Sequence, residues 1–183
     1  MNTIVPSKIF LTKGMGQHKE KLASLEIALR EAGIAPYNLV KITSIFPPKC
    51  SLIPREEGLK LLHPGQILFL VMSDIATDEA HRLISASIGL ATSNDRNHYG
   101  YLSEHHAYGQ TEEEAGEYAA DLAAYMLATT LGKTFDTKQI WEEEKNLYSI
   151  SSSLSVRTQN ITQNAKGKKG LWTTVIAAAV CIP

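Results

Sequence analysis

The two residues of this chain with the most chemistry to offer are neighbours. Thr43 and Ser44 lie inside NLVKITSIFPP, the stretch from Asn38 to Pro48. A serine hydroxyl can attack the carbonyl carbon of the residue before it. Attack by Ser44 on Thr43 would convert the amide into an ester. Loss of the Ser44 Cα proton would then expel the Thr43 carboxylate by β-elimination. The former serine would be left as dehydroalanine, which tautomerises and hydrolyses to a pyruvoyl group. A threonine at position 44 would leave an extra methyl, so the residue type matters. Such a bond becomes reactive only under local strain or oriented hydrogen bonds. Taken alone, the pair also reads as two residues of ordinary strand.

Other candidates are weaker. Glu104 in YLSEHH offers a carboxyl, and His105 and His106 follow it. Adjacent side chains on a strand point to opposite faces, so the two imidazoles do not readily chelate one ion, and His81 and His98 add no helical spacing. No metal site is expected. KGMGQ carries two glycines but lacks the spacing and the trailing Lys-Ser/Thr of a phosphate loop, and reads as a turn. Lys166, Lys168 and Lys169 interleave with glycine as a solvated loop.

The bulk numbers exclude several classes. With 183 residues, 44% hydrophobic and 20% charged, the chain fits one domain, residues 1–183, with a real core. A net charge of −1 gives no basic field for nucleic acid. Cys50 and Cys181 make no disulfide framework. The start MNTIVPSKIF lacks the apolar core of a signal peptide, and VIAAAVCI is too short to span a bilayer. A cytoplasmic protein with no membrane association is expected.

The elements that must position these residues follow from periodicity. Ile9 to Thr12 predicts a short strand. From His18 to Ala32 apolar residues Leu22, Leu25, Leu29 and Ala32 recur at helical spacing, with Gly33 as the stop. YNLVKITSIF predicts one strand between Pro36 and Pro47, and ILFLVMS a buried one. LISASIGLA alternates, with Ile84, Ala86, Ile88 and Leu90 on one face, and forms a hairpin with YGYLSEHH across TSNDRNH. Thr111 with Glu114 is a capping box opening a helix lined by Ala115, Tyr118, Ala119, Leu122, Met126 and Leu127. KQIWEEEKNLY reads as further helix. VRTQNITQ and TTVIAAAVCI read as closing strands. Strands that pair directly and grouped helices give an α+β fold with largely antiparallel or mixed sheets.

Together HKEKLASLEIALREAGIAPYNLVKITSIFPP, PREEGLKLLHPGQILFLVMS, ISASIGLA, GYLSEHHAYG and GLWTTVIAAAV resemble the pyruvoyl-dependent arginine decarboxylases, from about Ser7 to Ile182. The resemblance implies a compact αββα sandwich whose subunits assemble as a trimer, or a dimer of trimers, with active sites between subunits. It implies a zymogen that cleaves itself between Thr43 and Ser44 into a β-chain, 1–43, and an α-chain, 44–183, opening with a pyruvoyl group derived from Ser44. That covalent group would form a Schiff base with arginine and yield agmatine and CO2, feeding polyamine synthesis or acid resistance, without pyridoxal phosphate or metal. Lysine, ornithine or histidine as substrate, or an uncleaved structural or regulatory paralogue, are the alternatives.

The resemblance also assigns roles. Glu104 matches the family's proposed general acid. Glu26 falls where the family commonly carries Asp, and a carboxylate is the natural partner of a guanidinium. Its arm is one methylene longer than the family's. Asn38 matches an active-site asparagine with a polar positioning role. Six residues of straight strand span about 20 Å, so Asn38 meets Ser44 only if the strand bends, or else it serves a neighbour's site.

Overall fold

A computed structural model of the chain describes residues 4–133, 141–142, 147–151 and 154–183. Two sheets lie face to face with a helix against each outer surface. The first sheet contains β1 (Lys8–His18), β2 (Asn38–Lys41), β4 (Ser51–Leu52), β5 (Ile67–Thr77) and β11 (Trp172–Ile182), in the order β2-β5-β11-β1-β4. The second contains β3 (Ile45–Phe46), β6 (Leu83–Ser93), β7 (Gly100–Tyr108), β8 (Trp141–Glu142), β9 (Leu147–Ser151) and β10 (Leu154–Lys166), in the order β3-β7-β6-β10-β9-β8. The first sheet is mixed, because β2 and β4 pair parallel to their neighbours; the second is antiparallel. The expected α+β class with mixed and antiparallel sheets is therefore observed. No helix among the described residues is long and apolar enough to cross a membrane.

Strand alternation decides the layers. Ile84, Ala86, Ile88 and Leu90 of β6 face the first sheet, where they meet Val71, Ile75, Val175, Ala177 and Ala179. The opposite faces of β5 and β11, with Leu68, Leu70, Ile176 and Val180, pack on α1 (Lys21–Ala32). The short α2 (Arg55–Leu59) packs beside β1. The second sheet is covered by α3 (Glu112–Thr130), opened by the expected Thr111–Glu114 capping box. β11 is buried on both faces and forms the middle of its sheet, so its apolar run is continuous rather than alternating.

Several local expectations are corrected. KGMGQ is not a turn but the middle of β1, an eleven-residue strand. Its glycines are there because α1 lies almost on the backbone: a Cβ on Gly16 would sit 2.1 Å from the Ser24 carbonyl oxygen, and one on Gly14 2.2 Å from that of Ala28. The α1 stripe includes the expected Leu25, Leu29 and Ala32, omits Leu22, which is 78% exposed, and gains Ser24 and Ala28. On α3 the buried face is alanine-rich, and Tyr118 points outward. Trp141–Glu142 and Leu147–Tyr148 are strand, not helix; the rest of KQIWEEEKNLY lies outside the described residues. Most consequential, YNLVKITSIF is not one strand. It is β2 and β3, which belong to different sheets.

The α1 contact yields a test. Gly16→Ala forces a methyl into space held by backbone, so it should destabilise the fold by about 1–3 kcal/mol, read from the denaturant midpoint. An unchanged midpoint would mean that α1 does not approach β1 this closely.

Candidate active site

The Thr43–Ser44 bond lies where the chain passes from one sheet to the other. On one side, the Ile42 N–H donates to the Leu70 carbonyl of β5 at 2.9 Å. On the other, the Ser44 carbonyl accepts from the Leu102 N–H of β7 at 2.7 Å. The three residues from the Ile42 N–H to the Ser44 carbonyl reach at most about 10–11 Å, and packed sheets ordinarily lie about 10 Å apart. The connection therefore has no room for a wider loop. Its ends are anchored by Ile42 and Phe46, which both pack into the inter-sheet core, while Thr43 is exposed and Ser44 half-buried.

Between these anchors the backbone closes a tight turn about Ser44. The Ile45 N–H donates to the Thr43 carbonyl at 3.0 Å, a bond spanning two residues. Ser44 is not among the residues with positive φ, so this is the inverse form of the γ-turn, which is not strained. The oxygen of the carbonyl that a Ser44 hydroxyl would attack is thus already held by a backbone donor.

Glu104 lies two residues beyond Leu102 on β7, about 7 Å along the strand. It opposes Ile88 and shares the inward-facing side of β7 with Leu102. The residue is exposed to solvent, yet its carboxyl pKa is raised from 4.5. Desolvation by the surrounding protein is the main cause; Lys41 and His106 pull the value down, and Asp74 pushes it up. Lys41, at the end of β2, is ion-paired with Asp74 on β5. Glu104, Lys41, Asp74 and His106 thus form one group, two residues along β7 from the Leu102 N–H that holds the Ser44 carbonyl. Lys41 and Asp74 were not foreseen. Asp74 carried a readable signal, a carboxylate directly after the apolar run ILFLVMS; Lys41 joins only through the pairing of distant strands, whereas His106 shares the Glu104 side of β7 by strand parity.

Strand parity correctly separates the histidines. His105 faces α3, where its Nε2 lies 2.7 Å from the Gln110 side-chain oxygen and its ring stacks on Tyr118 at 4.4 Å. His106 faces the other way, toward Glu104. Among the described residues no group of three or more His, Cys, Asp or Glu side chains could hold a metal.

Asn38 and Glu26 lie elsewhere in the chain. The Asn38 side-chain amide donates to the Gly65 carbonyl at 2.7 Å, and the Gly65 N–H donates to Pro36 at 2.8 Å. Glu26 accepts from Arg30 Nε at 3.0 Å, and both border a shallow cleft of about 320 Å³ with Gly33, Ala35 and Pro36. The two residues therefore flank the loop after α1, at the start of β2. Ser44 and Glu104 lie past its end.

The comparisons with known proteins decide the family. The family model described as pyruvoyl-dependent arginine decarboxylase matches residues 8–183. A Chlorobium limicola protein named "Probable pyruvoyl-dependent arginine decarboxylase" is 58% identical over 181 residues, 99% of each chain. A Nitrosopumilus maritimus protein named "Pyruvoyl-dependent arginine decarboxylase" is 54% identical over 183 residues, the whole of both chains. A Methanosarcina mazei protein named "Pyruvoyl-dependent arginine decarboxylase 2" is 51% identical over 180 residues, 98% of each. This chain belongs to the pyruvoyl-dependent arginine decarboxylase family.

A pyruvoyl group at Ser44 fits the geometry of this family member. The group would replace the N-terminal atoms of residue 44 and keep its carbonyl, which the Leu102 N–H already binds. Glu104 is the nearby carboxyl with a shifted pKa, and the direction of that shift has a consequence for stability. A raised folded pKa means that the carboxyl contributes most below 4.5, and that this contribution is lost as pH rises through the folded value. Glu104→Gln removes the loss. The stability advantage of Glu104→Gln over the wild type should therefore grow as pH is raised from about 4 toward 7, measured by chemical denaturation. A difference that is flat or shrinks with pH would contradict the shift.

Proposed function

We propose that this chain is made as a precursor that breaks its own Thr43–Ser44 bond, and that the resulting pair, 1–43 and 44–183, decarboxylates L-arginine to agmatine and CO2. The observation that carries the reading is the turn about Ser44. When the Ser44 hydroxyl adds to the Thr43 carbonyl carbon, negative charge gathers on an oxygen that already accepts the Ile45 N–H at 3.0 Å. A donor fixed in advance stabilises that charge without reorganising. The C–N bond then breaks, leaving Thr43 esterified to the Ser44 oxygen and the Ser44 amine free. Removal of the Cα proton breaks the Cβ–O bond, and Thr43 departs as a carboxylate. Water replaces the nitrogen of the remaining enamine, which leaves as ammonia.

The pyruvoyl group supplies a carbonyl that takes up the substrate amine and draws off the electron pair left by CO2. The remaining steps belong to side chains of this chain. Glu104 returns a proton to the substrate α-carbon, a task suited to a carboxyl whose desolvation favours its protonated form. Glu26 receives the guanidinium. In this chain Arg30 occupies that carboxylate, and an exposed pair of this kind is worth only about 0–1 kcal/mol, so a substrate can displace it. Asn38 orients the polar part of the substrate.

Glu26 and Asn38 lie around the start of β2 and Ser44 beyond its end, and on this reading they serve the site of a neighbouring copy. Such a head-to-tail contact closes as a ring, and the trimer implied by the family is such a ring. Support comes from the free edges themselves: β2 and β3 end their sheets, and Val40 and Ile45 expose 39% and 40% of their surface there. Contiguous exposed apolar side chains mark contact surfaces.

Two variants separate maturation from turnover. Ile45→Pro removes the N–H that holds the Thr43 carbonyl, so self-cleavage should slow about 10²-fold, followed by gel or mass analysis over time. Cleavage at the normal rate would show that this donor is idle. Glu104→Gln should cleave normally but lose about 10²–10⁴ in CO2 release from arginine. Near-normal turnover would remove Glu104 from the acid role. In the wild type, CO2 released from lysine, ornithine or histidine in preference to arginine would overturn the substrate assignment alone.

A further inference from the structure

The inner face of the second sheet changes character at one end. Leu90 is the last β6 side chain in the inter-sheet core. Beyond it, Thr92 opposes Arg157 of β10, and Leu90 itself opposes Gln159. The first sheet answers there only with the two-residue β4. Between them lies a cleft of about 540 Å³, within the range of small-molecule sites.

Three cationic side chains line this cleft, Lys49, Arg96 and Arg157, and among the described residues no aspartate or glutamate does. Arg96 is held in position by the carbonyls of Lys49 and Cys50, at 3.2 and 3.4 Å, and by Ser51 Oγ at 3.5 Å. These neutral acceptors orient the guanidinium, and among the described residues no carboxylate pairs with it. Among the described residues neither Lys49 nor Arg157 has a carboxylate partner. Asp95, next in sequence to Arg96, is engaged by His98 at 3.0 Å and by Asn97.

Lys49 adds an independent observation. Its φ is 61°, in the left-handed region that disfavours any residue with a Cβ. The turn is tied on both sides: the Cys50 N–H donates to Pro47 at 3.2 Å, and the Lys49 N–H donates to Arg96 at 2.9 Å. Glycine would adopt this conformation at less cost. That lysine lies on the wall of a cleft with two arginines, and backbone strain of this kind clusters at binding sites.

We propose that this cleft binds a small organic phosphate. Guanidinium forks pair with phosphoryl oxygens through two parallel hydrogen bonds, and the ammonium adds a point charge. Phe46, Leu52 and Leu90 offer apolar walls to the body of the ligand. The site is distinct from the group around Glu104, and the decarboxylation chemistry makes no use of its cations.

Calorimetric titration of the purified protein in phosphate-free buffer tests the assignment, with inorganic phosphate and glycerol phosphate as probes. Saturable binding is expected for both, tighter for glycerol phosphate. Arg157→Gln should weaken binding at least about tenfold, since it loses a charged hydrogen-bonding partner. Lys49→Gly should weaken binding as well, yet raise the thermal midpoint by relieving the turn. No saturable binding at millimolar phosphate, or unchanged binding in Arg157→Gln, would overturn the proposal. So would absent binding accompanied by a changed association state in Arg157→Gln, which would mean that the cleft receives an acidic group of another copy.

Discussion

The chain has to leave one sheet and enter the other between Lys41 and Ile45, and that crossing is the constraint on which the rest of the site depends. The Ile42 N–H belongs to the ladder of the first sheet and the Ser44 carbonyl to the ladder of the second. Phe46 is fully committed to the inter-sheet core. Burying one such side chain is worth about 1.5–3 kcal/mol, and each ladder bond about 0.5–1.5 kcal/mol. Those terms are large enough to hold a conformation that a free peptide would visit only in passing. The turn about Ser44 is the shape the backbone takes between two anchors that will not move.

The physical character of that turn bears on how a peptide bond is made to break. Strain and oriented hydrogen bonds are the two available routes. Neither Thr43 nor Ser44 has a positive φ, whereas Lys49, a few residues on, does. Orientation is what the crossing supplies: a carbonyl with its own N–H donor, beside a hydroxyl one residue away. The same meeting of sheet edges brings up Glu104 with Lys41, Asp74 and His106, and crowding there favours its protonated form. One junction thus sets both the geometry of the Thr43–Ser44 bond and the electrostatics beside it.

Much of this architecture was legible in the sequence where the signal was local. The β6–β7 hairpin, the Thr111 capping box and the Gly33 stop all rest on residues within a few positions of each other. What was not legible depended on contacts made by distant segments. The glycines of KGMGQ resemble turn residues until α1 is known to lie on them. NLVKITSIF has the composition of one strand, and nothing in its β-branched run announces a change of sheet. The site divides in the same way. Ser44 and Glu104 came from motif resemblance, and the opposite facing of His105 and His106 from strand parity. Lys41 and Asp74 needed the parallel pairing of β2 with β5 and the approach of β7. That Asn38 and Ser44 meet only if the strand bends was read from strand length; the Asn38 amide bond to Gly65 was not foreseen.

The central claim is that the crossing between sheets is where this chain makes its own reactive carbonyl. Intact-mass spectrometry of the purified protein, with Ser44→Ala alongside, tests it most directly. The account predicts two species from the wild type, residues 1–43 and residues 44–183 opening with a pyruvoyl group, and one full-length chain from the variant. A wild-type protein that remains a single full-length chain after long incubation, or cleavage at any other bond, would contradict it.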